Sequence, residues 1–234
     1  YYPTHFNWAD VLSRRSEVYH QKLLDLSLRP ESQSEEHASI HDIVRVKEPG
    51  LEKRLLVDPH PRHSFVTYLS TVESPEQFLT TKVASLPMEA GDWGLPAKYE
   101  RKGDDQLVAT LQNGDWELNK SIRLRGAEVD FGVRSSDVGN GNGYLYVEFN
   151  MTVLTDQADD RYMLVDNERW VLGEGGSASE VHSVSLVDEW QPRSAVLEPS
   201  QSARLITYPV YTVSSSEAGF ERSYQGTCIM LGFD

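Results

Sequence analysis

Apolar positions recur at helical spacing once, near the start, and at strand spacing through most of the remaining chain. Trp8, Val11, Leu12, Val18, Tyr19, Leu23 and Leu26 fall three to four residues apart or at multiples of a turn, which predicts a helix over 7–27. Asn7 is a suitable N-cap, and Asp10 places a carboxylate in the first turn, where the helix dipole favours it. Pro30 and the polar run Glu31–His37 end the pattern and predict a loop over 30–38. From there the period falls to two. Strands are expected at Phe78–Leu86, Ala97–Arg101, Leu107–Leu111, Trp116–Arg125 and Val129–Ser135, then at Tyr144–Leu154 and Arg161–Val165. Trp170–Leu172, Val181–Val187, Ala203–Val213 and Tyr224–Phe233 complete the set, and Asn113-Gly114 is a strong hairpin signal between two of them.

Many short strands with turn residues between them and little helix indicate an all-β fold, an antiparallel β-sandwich over 39–234 behind one N-terminal helix. No repeat and no splitting linker interrupts it, so one domain over 1–234 is expected. Tyr144–Leu154 is the cleanest strand. Leu145, Val147, Phe149, Met151 and Val153 line one face as core, and Tyr144, Tyr146, Glu148, Asn150 and Thr152 line the other. An aromatic and polar second face suits a sheet cupping a polar ligand.

Charge narrows the partners. With 22 basic against 36 acidic residues the net charge is −14, which argues against nucleic acid, whose affinity comes from clustered lysine and arginine. No apolar run reaches the roughly 20 residues of a membrane helix, so no membrane partner is expected. The lone Cys228 excludes an internal disulfide and suits a reducing cytoplasm; within an apolar strand it reads as core. The start, Tyr1-Tyr2-Pro3, has no initiator methionine and reads as a piece of something longer.

Two irregular stretches concentrate chemistry. Ala38–Ser70 carries three histidines, acids and arginines around a Pro49-Gly50 turn and Asp58-Pro-His-Pro-Arg62. Tyr208–Thr227 begins as a strand, then Ser214, Ser215, Ser216, Glu217, Ala218 and Gly219 break the alternation, which predicts a long connection able to contact a sugar. Several familiar sites are absent. The glycine clusters at 139–143 and 173–176 lack the Lys-Ser/Thr of a phosphate loop, and no HExxH or paired cysteine suggests zinc. Asp156, Asp159 and Asp160 lack an EF-hand pattern and read as a solvated loop, so neither metal nor cofactor is expected. The two glycosylation sequons lie in predicted strands and read as chance matches. Glu148 with Asp42 has the residue types of a glycosidase pair, but that chemistry is set by a separation that sequence does not contain.

Five blocks then occur in order: Leu12–His20, Ser39–Glu52, Asp58–Tyr68, Val147–Asn150 and Ser214–Gly226. Together they resemble the C-terminal domain of glycoside hydrolase family 57 enzymes of the 4-α-glucanotransferase and α-amylase type, over essentially the whole chain. The resemblance implies a galactose-mutarotase-like supersandwich attached to an N-terminal (β/α)₇ barrel. That barrel carries the nucleophile and acid/base residues of a retaining mechanism, so no catalytic residue carries over. The implied partners are that barrel and an α-glucan or maltooligosaccharide. Matching positions with an implied structural or substrate-adjacent role are His41, Asp42, Lys47, Arg62, Glu148, Asn150, Glu217, Arg222 and Gln225, with Tyr146 joining them on the polar strand face. Two other readings stand beside this one. One is a domain resembling aldose epimerases, with His41 or His63 as base and Glu148 as acid. The other is a structural module without a ligand.

Overall fold

The structure is a computed structural model that describes residues 11–27, 46–58, 61–70, 74, 98–113, 116–135, 144–217 and 219–234. Thirteen strands are placed among the described residues, and every pairing between them is antiparallel. A five-stranded sheet has the order β1 (Val66–Ser70), β6 (Tyr144–Met151), β13 (Gly219–Phe233), β12 (Ala203–Ser216), β9 (Gly176–Val181). A four-stranded sheet has the order β11 (Arg193–Leu197), β10 (Val184–Asp188), β7 (Arg161–Val165), β8 (Glu168–Trp170). The third sheet is a meander of β2 (Lys98–Lys102), β3 (Gln106–Asn113), β4 (Trp116–Arg125) and β5 (Glu128–Ser135).

Alternation explains how these sheets meet. On one face of the five-stranded sheet Val147, Phe149, Leu205, Ile229 and Leu231 pack against Met163, Val165, Val184 and Leu186 of the second sheet. Two layers around one apolar core make the antiparallel sandwich that the period-two pattern predicts. The meander joins it at one end, where Leu111 and Leu118 pack with Leu145, and Ile122 and Val133 reach the main core.

Four expectations change. The helix is α1, His20–Ser27, while residues 11–17 run without regular structure. The reason is tertiary: the backbones of Arg14 and Asp58 are tied together, with Asp58 N–H donating to the Arg14 carbonyl at 2.9 Å and Arg14 N–H donating to Asp58 Oδ2 at 2.7 Å. Those bonds take the groups a helix would use, and Val11 turns into an apolar cluster with Tyr68, Tyr146 and Tyr208. The segment expected as one strand over Val181–Val187 breaks after Val181 into β9 and β10, with Glu180 at a positive φ of 59°. Expected strand Trp170–Leu172 is shifted to β8, with Trp170 its last residue. Fourth, the connection expected after Tyr208 is ladder: β12 and β13 pair down to Ser216 opposite Gly219. Loop 30–38 and strand Phe78–Leu86 lie outside the described residues.

Candidate functional site

Strand β6 presents Tyr146, Glu148 and Asn150 on the face away from the main core, as the alternation predicts, but that face is covered. Tyr146 and Asn150 are fully buried and Glu148 is 1% exposed. The cover is the irregular chain 61–65 together with 11–14. Pro61 fixes the backbone immediately before Arg62, whose side chain lies over the sheet.

The result is a buried ionic network. Arg62 donates through Nη1 to Glu148 Oε1 and to Tyr208 Oη, both at 3.0 Å, and through Nη2 to Asp58 Oδ1 at 2.5 Å. Arg14 grips the same carboxylate with Nε at 3.0 Å and Nη2 at 2.5 Å. Tyr68 Oη donates to Glu148 Oε2, and Asn150 Nδ2 donates to Glu148 Oε1 at 2.7 Å and to the His63 carbonyl at 2.8 Å. Two guanidiniums and two carboxylates balance, which makes their burial tolerable. Phe65 adjoins them in a left-handed conformation, φ 65°, which disfavours a side chain. It is held there because its N–H donates to the Glu148 carbonyl at 2.6 Å while Lys120 Nζ donates to its own carbonyl.

Electrostatics agree with a structural role. Burial and then the adjacent Glu148 charge push the Tyr68 hydroxyl far up, so it remains a donor. Burial and the same charge push the Cys228 thiol up, which leaves it inert. Burial alone would raise Asp58, yet hydrogen bonds from Arg62 and Arg14 and their charges win, and its pKa falls from the ordinary 3.8 to about 2. A depressed carboxylate stabilises the fold above its unfolded pKa and loses that contribution as pH falls through the folded one. Roughly 2 kcal/mol should therefore disappear between about pH 4 and pH 2. Urea unfolding across that range should show a steeper loss for the wild type than for Asp58→Asn; equal slopes would remove Asp58 as the source.

This arrangement leaves no accessible acid or base at Glu148, and the epimerase-like reading fails there for that reason. Sequence reasoning found Arg62, Glu148 and Asn150 but missed Arg14, Asp58, Tyr68 and Tyr208. The four-residue spacing of Asp58 and Arg62 around two prolines was a usable signal. The long separations to Tyr68 and Tyr208 left none.

The other marked residues among those described lie on the β12–β13 ribbon or, for Lys47, against it. Val210 pairs with Gly226 and Tyr211 with Tyr224, so Gln225 is the extra residue of a bulge, and its Nε2 donates to Thr212 Oγ1 at 2.8 Å. Arg222 pairs with Glu48 at 3.1 Å and lies over the Tyr211 ring at 4.8 Å. Lys47 pairs with Glu221, and its N–H donates to the Phe220 carbonyl at 3.0 Å. Glu217 is exposed in the turn. These bonds strap residues 46–48 along the ribbon, while Leu23, Leu51, Val213 and Phe220 form a small core beneath it. Between residues 12–20, residues 54–56 and β12 lies a groove of about 360 Å³, with Arg14, Tyr19, His20, Arg54 and Tyr211 in its walls. In its wall His20 Nδ1 accepts from the Glu17 N–H at 3.1 Å, which leaves Nε2 to carry a proton toward the Val213 carbonyl at 3.0 Å. His41 and Asp42 lie outside the described residues, and no metal-competent group of side chains occurs among the described ones.

A five-stranded sheet closed on its second face by a basic segment invites comparison with known proteins. Residues 1–234 match the family described as alpha-amylase/4-alpha-glucanotransferase, C-terminal. The chain belongs to that family. Alpha-amylase 1 of Dictyoglomus thermophilum is 30% identical over 240 residues, covering 96% of this chain and 32% of that protein. The 4-alpha-glucanotransferase of Thermococcus kodakarensis is 25% identical over 234 residues, covering 97% and 32%. The crystal structure of 4-alpha-glucanotransferase from Thermococcus litoralis superposes with a TM-score of 0.65 at 19% identity over 97% of this chain and 32% of that one, a likeness of fold. This member of the alpha-amylase/4-alpha-glucanotransferase C-terminal family thus spans about a third of the length of the relatives it matches.

Proposed function

We propose that the chain is the C-terminal accessory part of an α-1,4-glucan-processing enzyme, a retaining 4-α-glucanotransferase or α-amylase, and that it packs on a catalytic barrel outside these 234 residues. One observation carries this: the family match runs the full length of the chain, yet the chain corresponds to only 32% of either relative. The buried network supports it, because its carboxylates are locked in ion pairs and offer no acid/base couple to a glycosidic bond. Arg62, Tyr146, Glu148 and Asn150 then act by holding the 61–65 segment to the sheet. Among the described residues, Glu217, Arg222 and Gln225, nearer solvent on the ribbon, are the marked ones left to touch glucan or the catalytic part. A buried Cys228 is compatible with a cytoplasmic enzyme.

The experiment is direct. Incubated with maltoheptaose, the 234-residue chain should give neither shorter products nor a transfer ladder on chromatography. Turnover would overturn the proposal.

The meander supplies the surface we assign to the catalytic part. Its apolar face is core at one end and bare at the other, where Leu124 is 59%, Leu107 43% and Val129 43% exposed, and Tyr99 on the edge strand β2 is 61% exposed. Leu124 and Val129 lie directly opposite across β4 and β5. Replacing them together, Leu124→Glu with Val129→Lys, should about halve the fluorescence of a bound apolar dye such as ANS. Stability should move by no more than about 0.5 kcal/mol. Unchanged fluorescence would show that this end is not the exposed apolar surface.

A further inference from the structure

The two edges of the meander are built differently. Strand β2 closes one side; it is five residues long, exposed throughout, and carries Lys98, Arg101 and Lys102. Short, basic edges resist pairing with another chain. Strand β5 closes the other side without those devices. Among the described residues it pairs with β4 alone, in unbroken register over eight residues, and it contains neither lysine nor proline. Glu128, Val129, Asp130, Phe131 and Arg134 are exposed. Along Glu128–Arg134, alternate residues turn backbone N–H and C=O groups outward, with no further strand beside them among the described residues.

What fits such an edge is an extended strand, and the sequence of β5 is complementary to itself. An antiparallel pairing about a two-fold axis at Phe131 sets Glu128 of each copy opposite Arg134 of the other. Opposed residues in a ladder point to the same face, so Val129 meets Val133 and Phe131 meets its own counterpart on the apolar side, while the charges meet on the other. Both charges are available. Among the described residues Arg125 holds Asp130 at 3.0 Å and leaves Glu128, opposite it in the ladder, without an ion pair. Arg134 stands opposite the neutral Asn119. Neighbouring registers are worse. An axis at Asp130 sets that carboxylate against its own copy, and an axis at Gly132 draws Asp130 away from Arg125 and leaves Glu128 unmatched.

We infer that β5 is a homodimer interface, at which two copies of the chain pair antiparallel about Phe131 and join their four-stranded meanders into one continuous sheet. The ladder forms in the plane of the sheet, so the bare face with Leu107 and Leu124 stays open to the catalytic part. One strand from each copy is a small contact, and the dissociation constant is on the order of 10 μM.

Sedimentation equilibrium of the 234-residue chain, over concentrations spanning that value, tests it. The wild type should pass from one chain mass to two. Glu128→Arg sets like charges against Arg134 at both symmetric positions and should weaken association by at least about fivefold, as should Arg134→Glu. The double variant Glu128→Arg with Arg134→Glu puts opposite charges back across the axis and should return to within about twofold of the wild type. All these side chains are exposed, so the variants keep the fold. A wild type that stays monomeric throughout overturns the interface. So do single variants that associate like the wild type, and so does a double variant as weak as the singles. None of these results touches the proposed accessory role, which fails instead if the chain turns over maltoheptaose.

Discussion

Replacing Arg62 with leucine should cost about 3–5 kcal/mol of folding stability, the usual result of stripping one partner from a buried ion pair. Three acceptors lose a donor at once: Glu148 Oε1, Asp58 Oδ1 and the Tyr208 hydroxyl. Glu148 is 1% exposed and has no route to water. It keeps Tyr68 and Asn150, which are neutral donors, and so must stay charged without a counter-ion or take up a proton. Asp58 keeps Arg14 and should suffer less. The double variant Arg62→Leu with Glu148→Leu should recover a substantial part of the loss, because removing both charges removes the desolvation cost of each. Chemical denaturation of the three proteins measures this. A single-variant loss below about 1 kcal/mol, the value of an exposed pair, would contradict a buried network here.

The next largest effect is expected at Gly226. A methyl group there would sit 2.6 Å from the Met151 carbonyl oxygen and 2.6 Å from Val11 Cγ2. Side chains yield; a ladder carbonyl does not, since Thr227 pairs with Met151 in the adjoining register. Gly226→Ala should therefore cost about 2–3 kcal/mol by overpacking. Trimming Val11 to alanine in the same protein should relieve only part of it. If Val11→Ala restores full stability, the clash is with the side chain alone and the ladder is more pliant than the distances imply.

Gly226 also shows where legibility ends. Strand β13 was plain from the apolar run at Cys228–Leu231, because alternation is a local property of the chain. The bulge beside Gly226 was not, because it depends on which residue of β12 stands opposite. For the same reason the run Ser214–Gly219 read as a break. Serine is a poor strand former in isolation, but a partner strand, strapped by residues 46–48 and seated on the small core under Val213 and Phe220, holds Ser214, Ser215 and Ser216 in register and leaves Glu217 to the turn. Propensity lost to pairing there. At the other end, helical spacing over 7–27 gives a helix at His20–Ser27 among the described residues, and Arg14 and Asp58 hold residues 11–17 out of it by bonding each other's backbone.

The period-two pattern by itself determined the all-β class, the antiparallel strands and the two-faced character of β6. Five ordered blocks determined the family resemblance, and with it the expectation of a partner bearing the catalysis. What the tertiary structure decided is which polar residues are buried. Tyr146, Glu148 and Asn150 have the composition of a sugar platform, and the alternation puts them on one face as expected. They are core instead, because chain 86 residues away in sequence crosses them and sets a guanidinium against the carboxylate. Burial of a charge is a property of its partners, and partners so far apart leave no trace in a local pattern.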